Sequence, residues 1–386
     1  MTTEFPAPPY LDLISHLSMP QLCGQLLVVG FDGTKVPDSL LEALQSGLRG
    51  GVILFKRNLP DIDTAWALCR DIIAAYPPGV LPFIAVDQEG GRVCRLPAPF
   101  VTLPPMRTLG DIGDADLVYR AASEVGRQLA AIGITCNFAP VLDIDTNAEN
   151  PVIGDRSFSR SAVSVAALAV AFMHGLHDQG ILACGKHFPG HGDTALDSHL
   201  DLPCVQHSAQ RLSRVELLPF REAIIAGLRS LMTAHVAYPA LDPSGSPATL
   251  SAPIVTDLLR KELGFKDVVF SDDLEMRGIR KDHTVSEAAC GAIRSGCDVL
   301  LLCHDACLAD EALTALVSAA EADPAISSQI LDANMRFHLV RQRFAPRPQH
   351  TQDSLHYAIQ NDTASALLRE IATRSQLSQG IEPQLP

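Results

Sequence analysis

Three histidines, a lysine and two aspartates crowd into one short stretch of this chain, from Lys186, His187 and His191 through Asp193 and Asp197 to His199. Pro189, Gly190 and Gly192 bend the backbone among them. Asp197 and His199 stand two positions apart, so on extended backbone their side chains point the same way and can touch. A carboxylate on one imidazole nitrogen fixes the tautomer and favours the protonated ring, which frees the other nitrogen for proton transfer. Two further chemistries are written in the same letters. His187, His191, Asp193 and His199 offer the donors of a hydrolytic metal site. Gly180 to Lys186 formally spells GxxxxGK, but its interior is apolar strand and His187 stands where a magnesium-holding serine or threonine belongs. The phosphate-loop reading is set aside.

A second reagent lies in Phe270-Ser271-Asp272-Asp273-Leu274-Glu275-Met276. Asp272 immediately follows an apolar run, where a carboxylate can face an electrophilic carbon while a proton donor serves the leaving group. Asp273, by strand alternation, is expected to point elsewhere. As a helix N-cap the pair would be structural instead. The segment from Asp87 to Arg95 and the segment Gly154-Asp155-Arg156-Ser157-Phe158 add carboxylates and guanidinium groups on glycine-bent backbone. Such groups either hold ligand hydroxyls in fixed directions or knit an internal ion-pair network around a turn.

These residues need a scaffold, and the apolar pattern supplies one. Continuous apolar runs at residues 25–31, 51–55, 82–86, 134–140, 181–185, 231–235, 267–271 and 298–303 show no alternation, as expected of strands buried on both faces. Amphipathic stretches at 37–45, 61–76, 114–132, 162–179, 208–226, 252–263 and 285–295 separate them. Glycines at 47, 133, 180, 227, 264 and 296 sit where helices should stop. The repeat predicts parallel strands, in a closed (β/α)8 TIM barrel or a doubly wound open sheet. Asp87, Lys186, His187, His235 and Asp272 end or follow different runs, which favours the barrel, whose site collects side chains from many strand ends. The expected layout is a single (β/α)8 TIM barrel over residues 1–345, ending in a helical stretch at 326–344, with a C-terminal extension, 346–386, carrying one short helix near 363–374.

The net charge of −14 argues against a nucleic acid or an anionic membrane surface as partner. Hydrophobic residues make up 47% and charged residues 19% of the chain, ordinary for a globular protein. Glu4, Asp12 and prolines at 6, 8 and 9 leave no basic, apolar leader, and no apolar run reaches membrane-spanning length. The ten cysteines lie mostly within apolar runs without a CxxC pair, which suits reduced thiols in a cytoplasmic protein.

The segments KHFPGHGDTALDSH, DQEGGR, GDRSF and FSDDLEM resemble glycoside hydrolase family 3, in particular its single-domain bacterial β-N-acetylglucosaminidases. The resemblance runs from about Gln21 to about Asp305. It implies Asp272 as the nucleophile of a retaining exo-hydrolysis, His199 as general acid/base and Asp197 as its orienting carboxylate. It implies Asp87, Arg95, Arg156, Lys186 and His187 as the grip on N-acetylglucosamine. No metal and no organic cofactor is implied. The implied partner is a small carbohydrate, N-acetylglucosamine β-linked to 1,6-anhydromuramic acid with or without peptide, met by a cytoplasmic monomer in peptidoglycan recycling. The chain departs from the family pattern in its longer tail and in Asp155, where glutamate is common. Three rivals remain open: a phosphorylase using the same site, a metal-dependent hydrolase, and a non-catalytic sugar-binding barrel.

Overall fold

A computed structural model describes residues 16–195, 202–346 and 350–378. Eight parallel strands close into a barrel in chain order: β1 (Leu27–Val29), β2 (Gly51–Leu54), β3 (Ile84–Val86), β4 (Cys136–Asn137), β5 (Leu182–Phe188), β6 (Ser230–Thr233), β7 (Val268–Asp273) and β8 (Val299–Leu302). The seam is sealed by β1 against β8, with Leu27 opposite Leu300 and Val29 opposite Leu302. The TIM barrel, not the open sheet, is the fold, and each strand falls within or beside its expected run.

Both faces of the barrel wall are mainly apolar, for different reasons. Val28, Ile53, Ala85, Leu182, Cys184, Val268, Phe270, Val299 and Leu301 fill the barrel interior. Their neighbours Leu27, Val29, Val52, Leu54, Ile84 and Val86 join the larger core beneath the surrounding helices. Local signals set the helix ends. Asp61 accepts from Thr64 N at 2.8 Å, Thr284 and Glu287 form a reciprocal capping box, and Gly133 ends the Ala115–Ile132 helix with φ 95°.

The barrel has a plugged end. The Pro324–Arg343 helix lays Phe337 and Val340 into the interior cluster, and Phe337 meets Phe83 edge-on at 5.0 Å between ring centroids. Arg341 donates to Gln25 Oε1 at 3.0 Å and to the Gly50 carbonyl at 3.3 Å. Gln25 and Gly50 lie just before β1 and β2, so the plug sits at the N-terminal ends of the strands.

Three expectations need correcting. Residues 208–226 form two helices, Ala209–Arg214 and Leu218–Ile225, because Pro219 has no N–H to continue the ladder. The tail carries two helices, Gln352–Ile359 and Asp362–Ser378. The second docks through a fork of Arg120 on Glu370, both contacts 2.8 Å, and through Arg374 on Asp114 at 2.7 Å. Finally, β5 and β7 extend through Lys186–His187 and Asp272–Asp273, and both lose regular register with a neighbour there, between Gly185 and Phe188 and between Phe270 and Asp273.

Candidate active site

A cavity of about 700 Å³ opens at the C-terminal ends of the strands. Its wall takes Ile53 from β2, Asp87 after β3, Phe138 after β4, Lys186 and His187 from β5, Met232 from β6, Asp272 and Asp273 from β7, and Leu301 from β8. The barrel thus brings together Asp87, Arg95, Arg156, Lys186, His187 and Asp272, six of the eight residues singled out in the sequence. The other two, Asp197 and His199, lie outside the described residues.

Five charged groups meet on one side. Lys186 Nζ lies 2.7 Å from Asp87 Oδ1 and 2.6 Å from Glu89 Oε1. Arg156 forks onto Glu89 through two bonds of 2.8 Å. Arg95 reaches Asp87 at 3.8 Å and lies over the Phe55 ring. Lys186 and Glu89 are buried, with 3% and 1% of their side chains exposed. Burial pushes the Glu89 carboxyl up, but Arg156 and Lys186 outweigh it and hold it well below the usual carboxylate range. Burial likewise lowers Lys186, and Asp87 and Glu89 more than restore it. Arg156 thus belongs to an ion-pair network, and that network is cavity wall. The loop after β3 is fixed by Asn137, which accepts from Gln88 N and donates to the Gln88 carbonyl, both at 2.9 Å.

A second cluster centres on Asp143, a fully buried carboxylate that sequence reasoning passed over. It accepts from His187 Nδ1 at 2.6 Å, from His187 N at 3.2 Å and from His191 N at 2.7 Å. Burial raises its carboxyl, and the two imidazoles bring it below the ordinary value. His191 is pushed down to about 4, first by burial and then by its neighbour His187, so it is neutral near pH 7. Gly192 lets this loop lie on the Ile144 carbonyl, since a Cβ there would fall 1.7 Å from the oxygen. Asp143 ends the run PVLD after β4, the same strand-end position that marked Asp87. Glu89 sat inside DQEGGR, but nothing distinguished it from its neighbours.

Asp272 and Asp273 both line the cavity, against the expectation that alternation sends Asp273 away. The irregular register of β7 is the reason, because a break in pairing re-aims the side chains beside it. Asp272 Oδ1 accepts from Asp273 N at 2.8 Å. Beneath them His235 is fully buried, and its Nε2 donates to the Asp273 carbonyl at 2.9 Å while Nδ1 meets Thr249 Oγ1 at 2.8 Å. Burial lowers its pKa and keeps the ring neutral, so this strand-end histidine supports the turn and does not line the cavity.

The match to "Glycosyl hydrolase family 3 N terminal domain" spans residues 19–337, all eight strands and the plug helix as far as Phe337. The chain belongs to glycosyl hydrolase family 3. A β-hexosaminidase of Nitrosomonas eutropha is 43% identical over 296 residues, 75% of this chain and 84% of the relative. Among solved structures, a family 3 β-N-acetylglucosaminidase from a Paenibacillus species superposes with a TM-score of 0.88 at 39% identity, covering 93% of this chain and 69% of that one. NagZ of Neisseria gonorrhoeae gives 0.77 at 32%, covering 91% and 98%. This family 3 chain is a glycosidase. No helix among the described residues is long and apolar enough to cross a membrane.

Proposed function

We propose that this glycosidase is a retaining exo-β-N-acetylglucosaminidase. The observation that carries the reading is Asp272, held at the end of β7 in the cavity that also presents Asp87, Arg156, Lys186 and His187. The hexosaminidase and N-acetylglucosaminidase names of the relatives support the choice of sugar.

In the first step the Asp272 carboxylate attacks the anomeric carbon and forms a glycosyl ester. The bond to the leaving oxygen breaks, and that oxygen takes a proton from His199, which Asp197 orients. In the second step His199 removes a proton from water, the water oxygen attacks the same carbon, and Asp272 leaves as carboxylate. Asp87, Arg95, Arg156, Lys186 and His187 hold the sugar hydroxyls. Their contacts strengthen as the ring flattens toward the oxocarbenium ion. The substrate we favour is N-acetylglucosamine β-linked to 1,6-anhydromuramic acid, with or without peptide. The exposed Lys56 and Arg277 at the cavity rim suit the carboxylates of such an aglycone.

A slow 5-fluoro N-acetylglucosaminide followed by peptide mass spectrometry tests the mechanism. The label is expected on Asp272, and Asp272→Ala should lose nearly all turnover of an aryl β-N-acetylglucosaminide while folding normally. Label on Asp273, or faster turnover of the aryl β-glucoside than of the N-acetylated sugar, would refute the reading.

A further inference from the structure

Asp273, Glu275 and His304 also line the cavity, and the two-step displacement uses none of them. Their ligand atoms lie within 4.8 Å of one another, on the β7 side of the mouth. His304 Nδ1 stands 3.4 Å from Asp273 Oδ2 and 3.8 Å from Glu275 Oε2. These are poor distances for a hydrogen-bonded ion pair, whose N–H···O span is about 2.7–2.9 Å. Elsewhere in this protein imidazole–carboxylate pairs do close, His187 on Asp143 at 2.6 Å and His356 on Asp63 at 3.0 Å. Two ligands on one tetrahedral zinc ion, with bonds of ~2.0–2.1 Å, stand about 3.3–3.4 Å apart. The Asp273–His304 gap matches that separation, and the Glu275 gap exceeds it by a few tenths of an ångström.

The surroundings orient each donor. Asp273 Oδ1 accepts from Glu275 N at 3.0 Å, which leaves Oδ2 turned to the imidazole. Glu275 Oε1 accepts from His304 N at 2.8 Å and Oε2 from Asp305 N at 3.2 Å. The His304 ring stacks on Phe55 with centroids 5.8 Å apart. Hydrogen bonds behind metal ligands fix their direction in this way and raise affinity. One imidazole with two carboxylates is a donor set for a first-row divalent cation and too poor in oxygen for calcium.

The geometry points to a zinc-type cation site formed by Asp273, Glu275 and His304 at the mouth of the cavity, separate from the residues that carry out hydrolysis. All three donors line the cavity entrance. Occupation therefore narrows the entrance and sets positive charge beside Asp272, against the positive charge that develops on the sugar, so zinc is an inhibitor here. That last consequence rests on the hydrolytic reading of Asp272; the binding site does not.

Equilibrium dialysis of the full chain, freed of metal by chelation and returned to buffer, reads binding directly. One equivalent of zinc at micromolar free concentration is expected, weakened at least ~30-fold in His304→Gln and in Glu275→Gln. Cobalt(II) gives a second readout, the visible absorption of a low-symmetry site, present in the parent and absent from His304→Gln. Zinc should slow aryl-glycoside turnover, reversibly with chelator, and His304→Gln, compared with its own zinc-free rate, should resist. Equal zinc affinity in parent and both variants would place the ion elsewhere and overturn the proposal, as would no binding up to ~1 mM. Binding as expected with turnover unaffected would leave the site standing and sink the inhibition.

Discussion

Glu89→Gln keeps the shape of the side chain and removes one charge from a group of four. With Asp87, Glu89, Lys186 and Arg156 all ionised these four charges cancel, and Arg95 beside Asp87 adds a positive one; the substitution leaves one more positive charge uncompensated. Lys186 stands 2.6 Å from Glu89, and Arg156 makes two bonds of 2.8 Å to it. Removing one partner of a buried ion pair costs about 3–5 kcal/mol. The amide oxygen keeps part of the hydrogen bonding, so the lower end, ~3 kcal/mol, is expected. With a urea slope of roughly 3 kcal/mol per molar, the unfolding midpoint should fall by about 1 M at unchanged slope. The Glu89→Gln/Lys186→Met double variant restores the parent's net charge and should cost at least ~2 kcal/mol less than the sum of the single losses. kcat/KM should fall as well, because Lys186 is drawn to Asp87 alone. A single variant within ~0.5 kcal/mol of the parent, or a strictly additive double, would show that these four groups do not act as a unit.

His191 has a folded pKa of about 4, set first by burial, against about 6.5 in the unfolded chain. Between those values the unfolded state binds the extra proton, so stability falls as pH drops from 6.5 toward 4. His191→Gln should flatten that slope by up to ~1.4 kcal/mol per pH unit in urea titrations, and an unchanged slope would refute the burial argument. Phe337→Ala empties the barrel base, where the ring packs against Phe83 and Phe270, and should cost about 3–5 kcal/mol. The folded fraction should keep its kcat, because Phe337 does not touch the cavity; a stability loss under ~1 kcal/mol would mean the plug is not packed as described.

The fold was legible because barrel strands are apolar on both faces, and an unbroken run such as GVILF between polar helical stretches suits a doubly buried strand. Asp87, Lys186, His187 and Asp272 were legible because a charge ending such a run is conspicuous. Asp143 and Glu89 were harder, since a carboxylate that binds other side chains looks in sequence like one that binds water. Asp273 misled for a sharper reason. Alternation assumes regular pairing, and β7 loses its register between Phe270 and Asp273. The break in residues 208–226 was visible in Pro219 and outweighed by the amphipathic pattern around it. The Gln352–Ile359 helix buries little beyond Leu355 and Ile359, too weak a stripe to read.

The plug also imposes an order of events on biosynthesis. Phe83 leaves the ribosome some ~250 residues ahead of Phe337, which at ~5–20 residues per second is a wait of roughly 12–50 s. For most of that interval Val28, Ile53, Phe83 and Ala85 lack the β5–β8 side chains that close the interior over them, and to its end they lack Phe337. Apolar surface exposed that long is what chaperones bind and what aggregates when they do not. Every residue lining the cavity has been made by His304. A chain cut shortly after β8 would thus hold the whole described cavity lining and still lack the plug at the other end of the barrel. Trimming this enzyme toward its chemistry removes the side chains that cap its apolar interior.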